Sequence, residues 1–312
     1  MANTELATTA QPSTFDRGTN TTYLGQTSEG SYIYSGQALQ EFAIGEVPNG
    51  GYVLSIMFDS VLQLYSERYQ VDPVALNCFF LRKTETTAII IEIKDIKVNR
   101  KGYCVTQATI KQSKSSQPGQ APLQQLKDYH AADYVDKVLG VFTMGNMDNE
   151  EGASSDYDLP APPNNGDRQL APFKLIYMKE LLELEVDAAS LPDPERTKPM
   201  EVHQTIGFRD QRPVDFKSIP FWCDNFVSPP NLLGPVFDGP LWCATMQMEV
   251  QFKRKCPDGL KKVAASFVTH TLKNSRFDID GWIWDNNGEL LATTRHQCLC
   301  LPWERNTPKA RL

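Results

Sequence analysis

The stretch Gly281-Trp-Ile-Trp-Asp-Asn-Asn-Gly-Glu-Leu-Leu-Ala-Thr-Thr-Arg-His-Gln-Cys-Leu-Cys-Leu-Pro302 sets the fold class. Two apolar runs flank Asn286, Asn287 and Gly288, residues that tolerate positive φ and permit a tight reversal, so the segment reads as a β-hairpin. Its second strand carries Thr294, Arg295, His296 and Gln297 among apolar neighbours. That cluster of polar, proton-transferring side chains is where chemistry is expected.

Upstream of the hairpin, 241–255 reads as a strand ending Phe252-Lys-Arg-Lys, and 259–272 as a second strand. The first half of the chain follows the same plan. Pro48-Asn-Gly-Gly51 is a turn signal, and from Tyr52 the residues Val53, Ile56, Met57, Val61 and Leu64 recur at helical spacing. Three strand-like runs follow at 75–81, 88–98 and 102–112, the first leading into Phe80-Leu-Arg-Lys83. Ile89, Ile91 and Ile93 alternate with Ile90, Glu92 and Lys94 in the second run, and a further strand is expected at 134–144. In each half a strand closing on basic residues precedes more antiparallel strands, which points to an internal duplication of fold. Two sheets, each cradling one helix, make an α+β architecture.

Between the halves the composition turns acidic and rich in Pro and Asn over 145–168, as a linker would, or as a long surface loop inside one domain. The whole chain has 312 residues, 41% hydrophobic and 22% charged, enough for two domains of about 150 residues. A net charge of -7 without large Lys/Arg clusters argues against nucleic-acid binding. Seven cysteines without framework spacing fit free thiols in a reducing compartment. No apolar run approaches the roughly 18 residues of a membrane span. The polar segment 1–30 is expected to be a disordered arm and lacks the regions of a signal peptide.

Three motifs in register carry a resemblance to a known family. Val47-Pro-Asn-Gly-Gly-Tyr-Val-Leu54, the strand ending Phe80-Leu-Arg-Lys83, and the hairpin from Gly281 to Arg295 resemble the acyl-CoA thioesterase-like proteins with a double hotdog fold. These are relatives of the bacterial and peroxisomal type II acyl-CoA thioesterases. The resemblance implies two curved antiparallel sheets, each wrapped round a central helix, with an N-terminal hotdog at 31–144, a C-terminal one at 169–305 and a tail at 306–312. It also implies hydrolysis of an acyl-CoA or pantetheine-linked thioester by a water held by an Asp, a Thr or Ser, and a Gln. The Asp falls on Asp224 and the Thr on Thr245. The Gln position is occupied by His296, or by Gln297 if the strand carries a one-residue bulge. Adjacent strand residues point to opposite faces, so only one of the two reaches the site. An imidazole there would suit a general base, since its ordinary pKa lies near about 6.5. Amides of Asn49, Gly50 and Gly51 at the first helix are candidate substrate-binding donors for a developing oxyanion.

Simpler readings stand beside these. Asp224 can serve as a local cap, and Thr245 as a β-branched packing residue. His296, Cys298 and Cys300 share a strand face, but same-face neighbours lie about 6.6 Å apart, whereas zinc ligands must sit within about 4 Å of each other. No metal or other cofactor is expected. His130, His203 and His270 lack an evident partner. No Gly-x-Ser-x-Gly elbow or phosphate loop is present. Asp72-Pro-Val-Ala-Leu-Asn77 lacks the His of hotdog hydratases. The expected partner is an acyl-CoA or other acyl thioester, with no nucleic acid and no membrane span, and self-association is left open. A non-hydrolytic reaction in a specialised fungal-type pathway (cyclisation, dehydration or product release) and non-catalytic acyl binding are the alternatives. Ala310-Arg311-Leu312 resembles a peroxisomal address, with a cytoplasmic location otherwise and a frayed tail as the plain reading.

Overall fold

The computed structural model describes residues 12–117, 119–156, 159–190, 200–227 and 240–307. The tripeptide 310–312 lies outside them, as do residues 1–11. The N-terminal half contains α1 (Thr14–Thr19), β1 (Thr22–Gln26), β2 (Tyr32–Gln37), the short pair β3 (Ala43–Ile44) and β4 (Val47–Pro48), α2 (Gly50–Tyr65), β5 (Asp72–Phe80), β6 (Ala88–Lys97), β7 (Cys104–Ser113) and β8 (Tyr134–Gly145). The C-terminal half contains β9 (Leu170–Pro172), β10 (Leu182–Asp187), β11 (Met200–Phe208), α3 (Ile219–Cys223), β12 (Leu241–Phe252), β13 (Lys262–Thr269), β14 (Leu272–Lys273), β15 (Arg276–Trp284) and β16 (Leu290–Pro302).

The helix α2 forms where the spacing of apolar residues predicts one. Asn49 caps it, its side chain accepting from Tyr52 N. Every residue from Gly51 to Val61 is buried, which is how an all-round apolar helix behaves when a sheet wraps it. Around α2 run β1-β2-β6-β7-β8-β5, all antiparallel. The second half repeats this order as β10-β11-β13-β15-β16-β12. The two sheets fuse edge to edge, β5 pairing antiparallel with β12 from Phe79↔Gln247 to Ala75↔Gln251. One apolar core runs through both halves, with Phe58 of α2 meeting Phe252 of β12 at 5.5 Å.

The repeat extends to an irregularity. The register of β5 against β8 shifts between Pro73 and Ala75, and that of β12 against β16 shifts between Thr245 and Gln247. Aligning Phe80-Leu-Arg-Lys83 with Phe252-Lys-Arg-Lys255 superposes the two bulges. Thr245 then corresponds to Pro73, and His296, which pairs with Met248, corresponds to Phe142, which pairs with Leu76.

One expectation needs correction. The segment assigned to an arm at 1–30 is built into the fold from Thr14 onward. Phe15 is 1% exposed and packs on Phe208 at 4.8 Å and Phe221 at 5.3 Å. Its neighbour Asp16 binds Arg212 at 2.8 Å and Lys217 at 3.0 Å. The partners come from the far half, so the segment's own polar composition gave no sign of them. The two halves are also unequal in their helices: among the described residues the second half has only α3, preceded by a 3-10 turn at Phe216–Ser218. Between Glu150 and Gln169 the described residues contribute neither helix nor strand. No described helix is long and apolar enough to cross a membrane.

Candidate active site

The opening hairpin places the site. Asp285 organises its turn by accepting from the amides of Asn287 and Glu289, and Gly288 sits at φ 79°. From Thr293 onward β16 alternates: Thr294, His296, Cys298 and Cys300 are buried, while Arg295 and Gln297 are exposed. Gln297 thus points away from the site, which corrects its candidacy. Arg295 forms an outer-face ion pair with Asp280 at 2.7 Å. The bulge that governs the geometry lies in β12, at Met246. It puts Thr245, opposite Cys298, on the same inward face as Met248, opposite His296.

Asp224 reaches this point from the other side. It follows α3 with φ -115° and ψ 7°, the bridge region in which many active-site residues sit. Its Oδ2 accepts from Gly51 N at 2.8 Å and from Asn49 Nδ2 at 3.1 Å. Its Oδ1 lies 3.5 Å from Thr245 Oγ1 and 3.7 Å from His296 Nδ1. The structure therefore brings Asp224, Thr245 and His296 together. It gives Asn49, Gly50 and Gly51 a different task from the one expected. The Gly51 amide, a candidate donor to a substrate oxyanion, and the Asn49 side chain hold the Asp224 carboxylate, at the positive end of α2. A Cβ on Gly51 would run into the Pro220 carbonyl and come within 2.7 Å of Asp224 Cβ. Glycine there is the condition for α2 and α3 to meet.

Burial sets the protonation states. It raises Asp224 to about 6, against the opposing pull of the Gly51 amide, the Thr245 hydroxyl, the Gly50 amide and the Asn49 side chain. Burial lowers His296 to about 3, with the Cys223 carbonyl opposing. At neutral pH the pair is a carboxylate beside a neutral imidazole, each a hydrogen-bond acceptor. In pKa the Asp224 carboxylate, rather than the imidazole of the sequence reading, is matched to a base near neutrality. The neighbouring thiols of Cys223 and Cys298 are pushed up by burial and stay protonated, so neither is an activated nucleophile.

His296 is fully enclosed, its ring edge-on to Phe226 at 5.9 Å, and Phe226 stacks on Phe267 at 4.2 Å. Sequence reasoning missed a partner for His203: its Nδ1 lies 2.7 Å from Ser266 Oγ, across the β11–β13 ladder. Ser266 is fully buried, so this pair is part of the core. His270 and His130 are exposed.

Comparison with known proteins agrees with this architecture. A family model described as the acyl-CoA thioesterase N-terminal domain matches residues 39–122, and one described as the acyl-CoA thioesterase C-terminal domain matches residues 157–300. The chain belongs to the acyl-CoA thioesterase-like superfamily of double-hotdog proteins. The thioesterase-like protein TwmA of Talaromyces wortmannii is 22% identical, over 89% of this chain and 91% of that one. Among solved structures, a hot dog fold protein of unknown function from Alicyclobacillus acidocaldarius superposes with a TM-score of 0.71 at 17% identity, covering 92% of this chain and 97% of that one. Acyl-CoA thioesterase II TesB2 of Mycobacterium marinum gives 0.65 at 15% identity, covering 92% and 98%. These two likenesses are of fold.

Proposed function

We propose that the protein hydrolyses an acyl-CoA or another pantetheine-linked acyl thioester, with Asp224 as general base, Thr245 holding the water and His296 completing its orientation. The observation that carries this reading is the 3.7 Å gap between Asp224 Oδ1 and His296 Nδ1. It is too long for a direct hydrogen bond, yet one water at about 2.8 Å from each atom spans it. Such a water gives one hydrogen to the carboxylate and the other to the imidazole, and accepts from Thr245, whose hydroxyl turns to it from its long 3.5 Å contact with Asp224. Its remaining lone pair is free to attack. Asp224 takes a proton as the oxygen adds to the thioester carbonyl. The tetrahedral species then collapses, the C–S bond breaks, and the thiolate takes the proton back from Asp224.

Incubation with acyl-CoAs of graded chain length should release free thiol. Asp224→Asn should lower kcat by about 10³-fold or more, and Thr245→Ala by about 10²-fold, with folding intact. Near-normal hydrolysis in both variants would sink the assignment.

One observation favours the second reading, a non-hydrolytic hotdog enzyme: an imidazole stands where the resemblance implies glutamine. Under that reading no acyl-CoA yields thiol, while an acylated pantetheine substrate is converted to a cyclised or dehydrated product visible by mass spectrometry.

A further inference from the structure

The two nitrogens of His296 are treated differently by the fold. Nε2 lies 3.0 Å from Thr294 Oγ1, and Thr294 Oγ1 lies 2.6 Å from the Glu249 carbonyl of β12. A hydroxyl has one proton, and a carbonyl can only accept. The Thr294 proton therefore goes to Glu249, and the hydroxyl meets Nε2 with a lone pair. Nε2 must bring the hydrogen to that contact. Nδ1 is left with its lone pair, buried and turned toward Asp224, with no hydrogen bond of good geometry to any described residue, the Cys223 carbonyl that faces the ring included.

The opposite tautomer is what the carboxylate alone would select. An Nδ1–H facing Asp224 Oδ1 would make a charge-assisted hydrogen bond, close the gap, and leave the water one acceptor short. Thr294 is placed to prevent this. It is 5% exposed, sits two residues before His296 on the same strand face, and is held by a carbonyl that belongs to the ladder.

We infer that Thr294 is a positioning residue that locks His296 in the Nε2–H tautomer and so keeps Nδ1 open as a water acceptor. The kinetic part of this inference rests on the hydrolytic reading above; the tautomer does not. During turnover the Nε2–H remains on Thr294 while the proton passes from water to Asp224 and back to the leaving sulfur, so the imidazole itself gains and loses none.

The test compares Thr294→Val, which keeps the shape and removes the hydroxyl, with Thr294→Ser, which keeps the hydroxyl. Nitrogen-15 NMR of histidine-labelled full-length protein reads the tautomer directly. The wild type should show a protonated Nε2 and a bare Nδ1 on His296, Thr294→Ser should match it, and Thr294→Val should show the exchange. In thioester hydrolysis, Thr294→Val should lose about 10²-fold in kcat with KM within about twofold, and Thr294→Ser should recover most of it. The acid limb of the pH profile in Thr294→Val should move below that of the wild type, because Asp224 gains a donor. A protonated Nδ1 in the wild type, or an unchanged tautomer and acid limb in Thr294→Val, overturns the inference. If the tautomers behave as expected and no thioester is hydrolysed by any form, the positioning role stands and the hydrolytic reading falls. Should Thr294→Val not fold, the wild-type and Thr294→Ser spectra still decide it.

Discussion

Asp224 and His296 divide between them what a free histidine does alone. Facing Asp224 are the amides and side chain at the start of α2, Thr245 on β12, His296 on β16, and the thiols of Cys78, Cys223 and Cys298, which burial keeps protonated. No cation stands among them, so under the proposed hydrolytic reading the acid limb of activity belongs to Asp224. We expect kcat/KM to fall as pH drops through about 6. His296→Gln should retain that limb, because an amide can accept from the water as the imidazole does; its disappearance in the variant would make the imidazole the base. The same shifts bear on stability. Asp224, raised in the folded state, favours folding at low pH, and that contribution is lost as pH rises through about 6. His296, lowered, contributes above its ordinary pKa, and that contribution is lost as pH falls toward about 3. The two oppose each other over the mildly acidic range. Which of residues 296 and 297 turns inward could not be read from β16 itself. It depends on how β16 lies against β12, where the bulge at Met246 carries no local signal.

At the scale of elements, the site is a meeting of helix ends held from behind. Arg212 pairs with Asp16 at 2.8 Å and with Asp215 at 2.7 Å, and its guanidinium lies 4.8 Å from the Phe15 ring centroid. Lys217 adds Asp16 and Asp59. This cluster ties α1 and α2 to the turn that launches α3. Burial alone would raise Asp16, but hydrogen bonds from Arg212 and Lys217 hold it well below the usual carboxylate range. Its contribution is therefore present above about pH 4 and lost as pH falls through its folded value. Arg212→Met should cost on the order of 3 kcal/mol, measured by urea unfolding at neutral pH. The cost of Asp16→Asn should shrink as pH is lowered below about 4. Gly51→Ala should cost about 1–3 kcal/mol by overpacking and should reduce turnover, whereas Asn49→Asp, which keeps the helix cap but replaces the donor to Asp224 with a second carboxylate, should move the acid limb to higher pH. The helix α2 was legible because its spacing and its Asn49 cap are local. The arm was misread because Asp16 finds Arg212 across 196 residues.

Among the described residues one large sheet and one large core span both halves, although the sequence reads as two. The β5–β12 seam and the Phe58–Phe252 contact make the halves mutually dependent. Calorimetry should therefore show a single unfolding transition rather than two, with fluorescence and circular dichroism coincident. The repeat was legible in the matched endings Phe80-Leu-Arg-Lys83 and Phe252-Lys-Arg-Lys255. The seam was not, because an edge-to-edge pairing leaves no mark in either strand's own alternation. The proposed mechanism has its residues in one half only: the counterparts of Thr245 and His296 are Pro73 and Phe142, and Phe142 is fully buried. A tight-binding thioester analogue should accordingly titrate one equivalent per chain, read by calorimetric stoichiometry.

The bend at Pro73 persists in the half that polarises nothing. A kink kept where no equivalent of the Thr245 hydroxyl or the His296 imidazole stands serves the curvature of the strand, in both halves alike. The strand course for a second centre is drawn there, without the side chains or the helix end that would complete it.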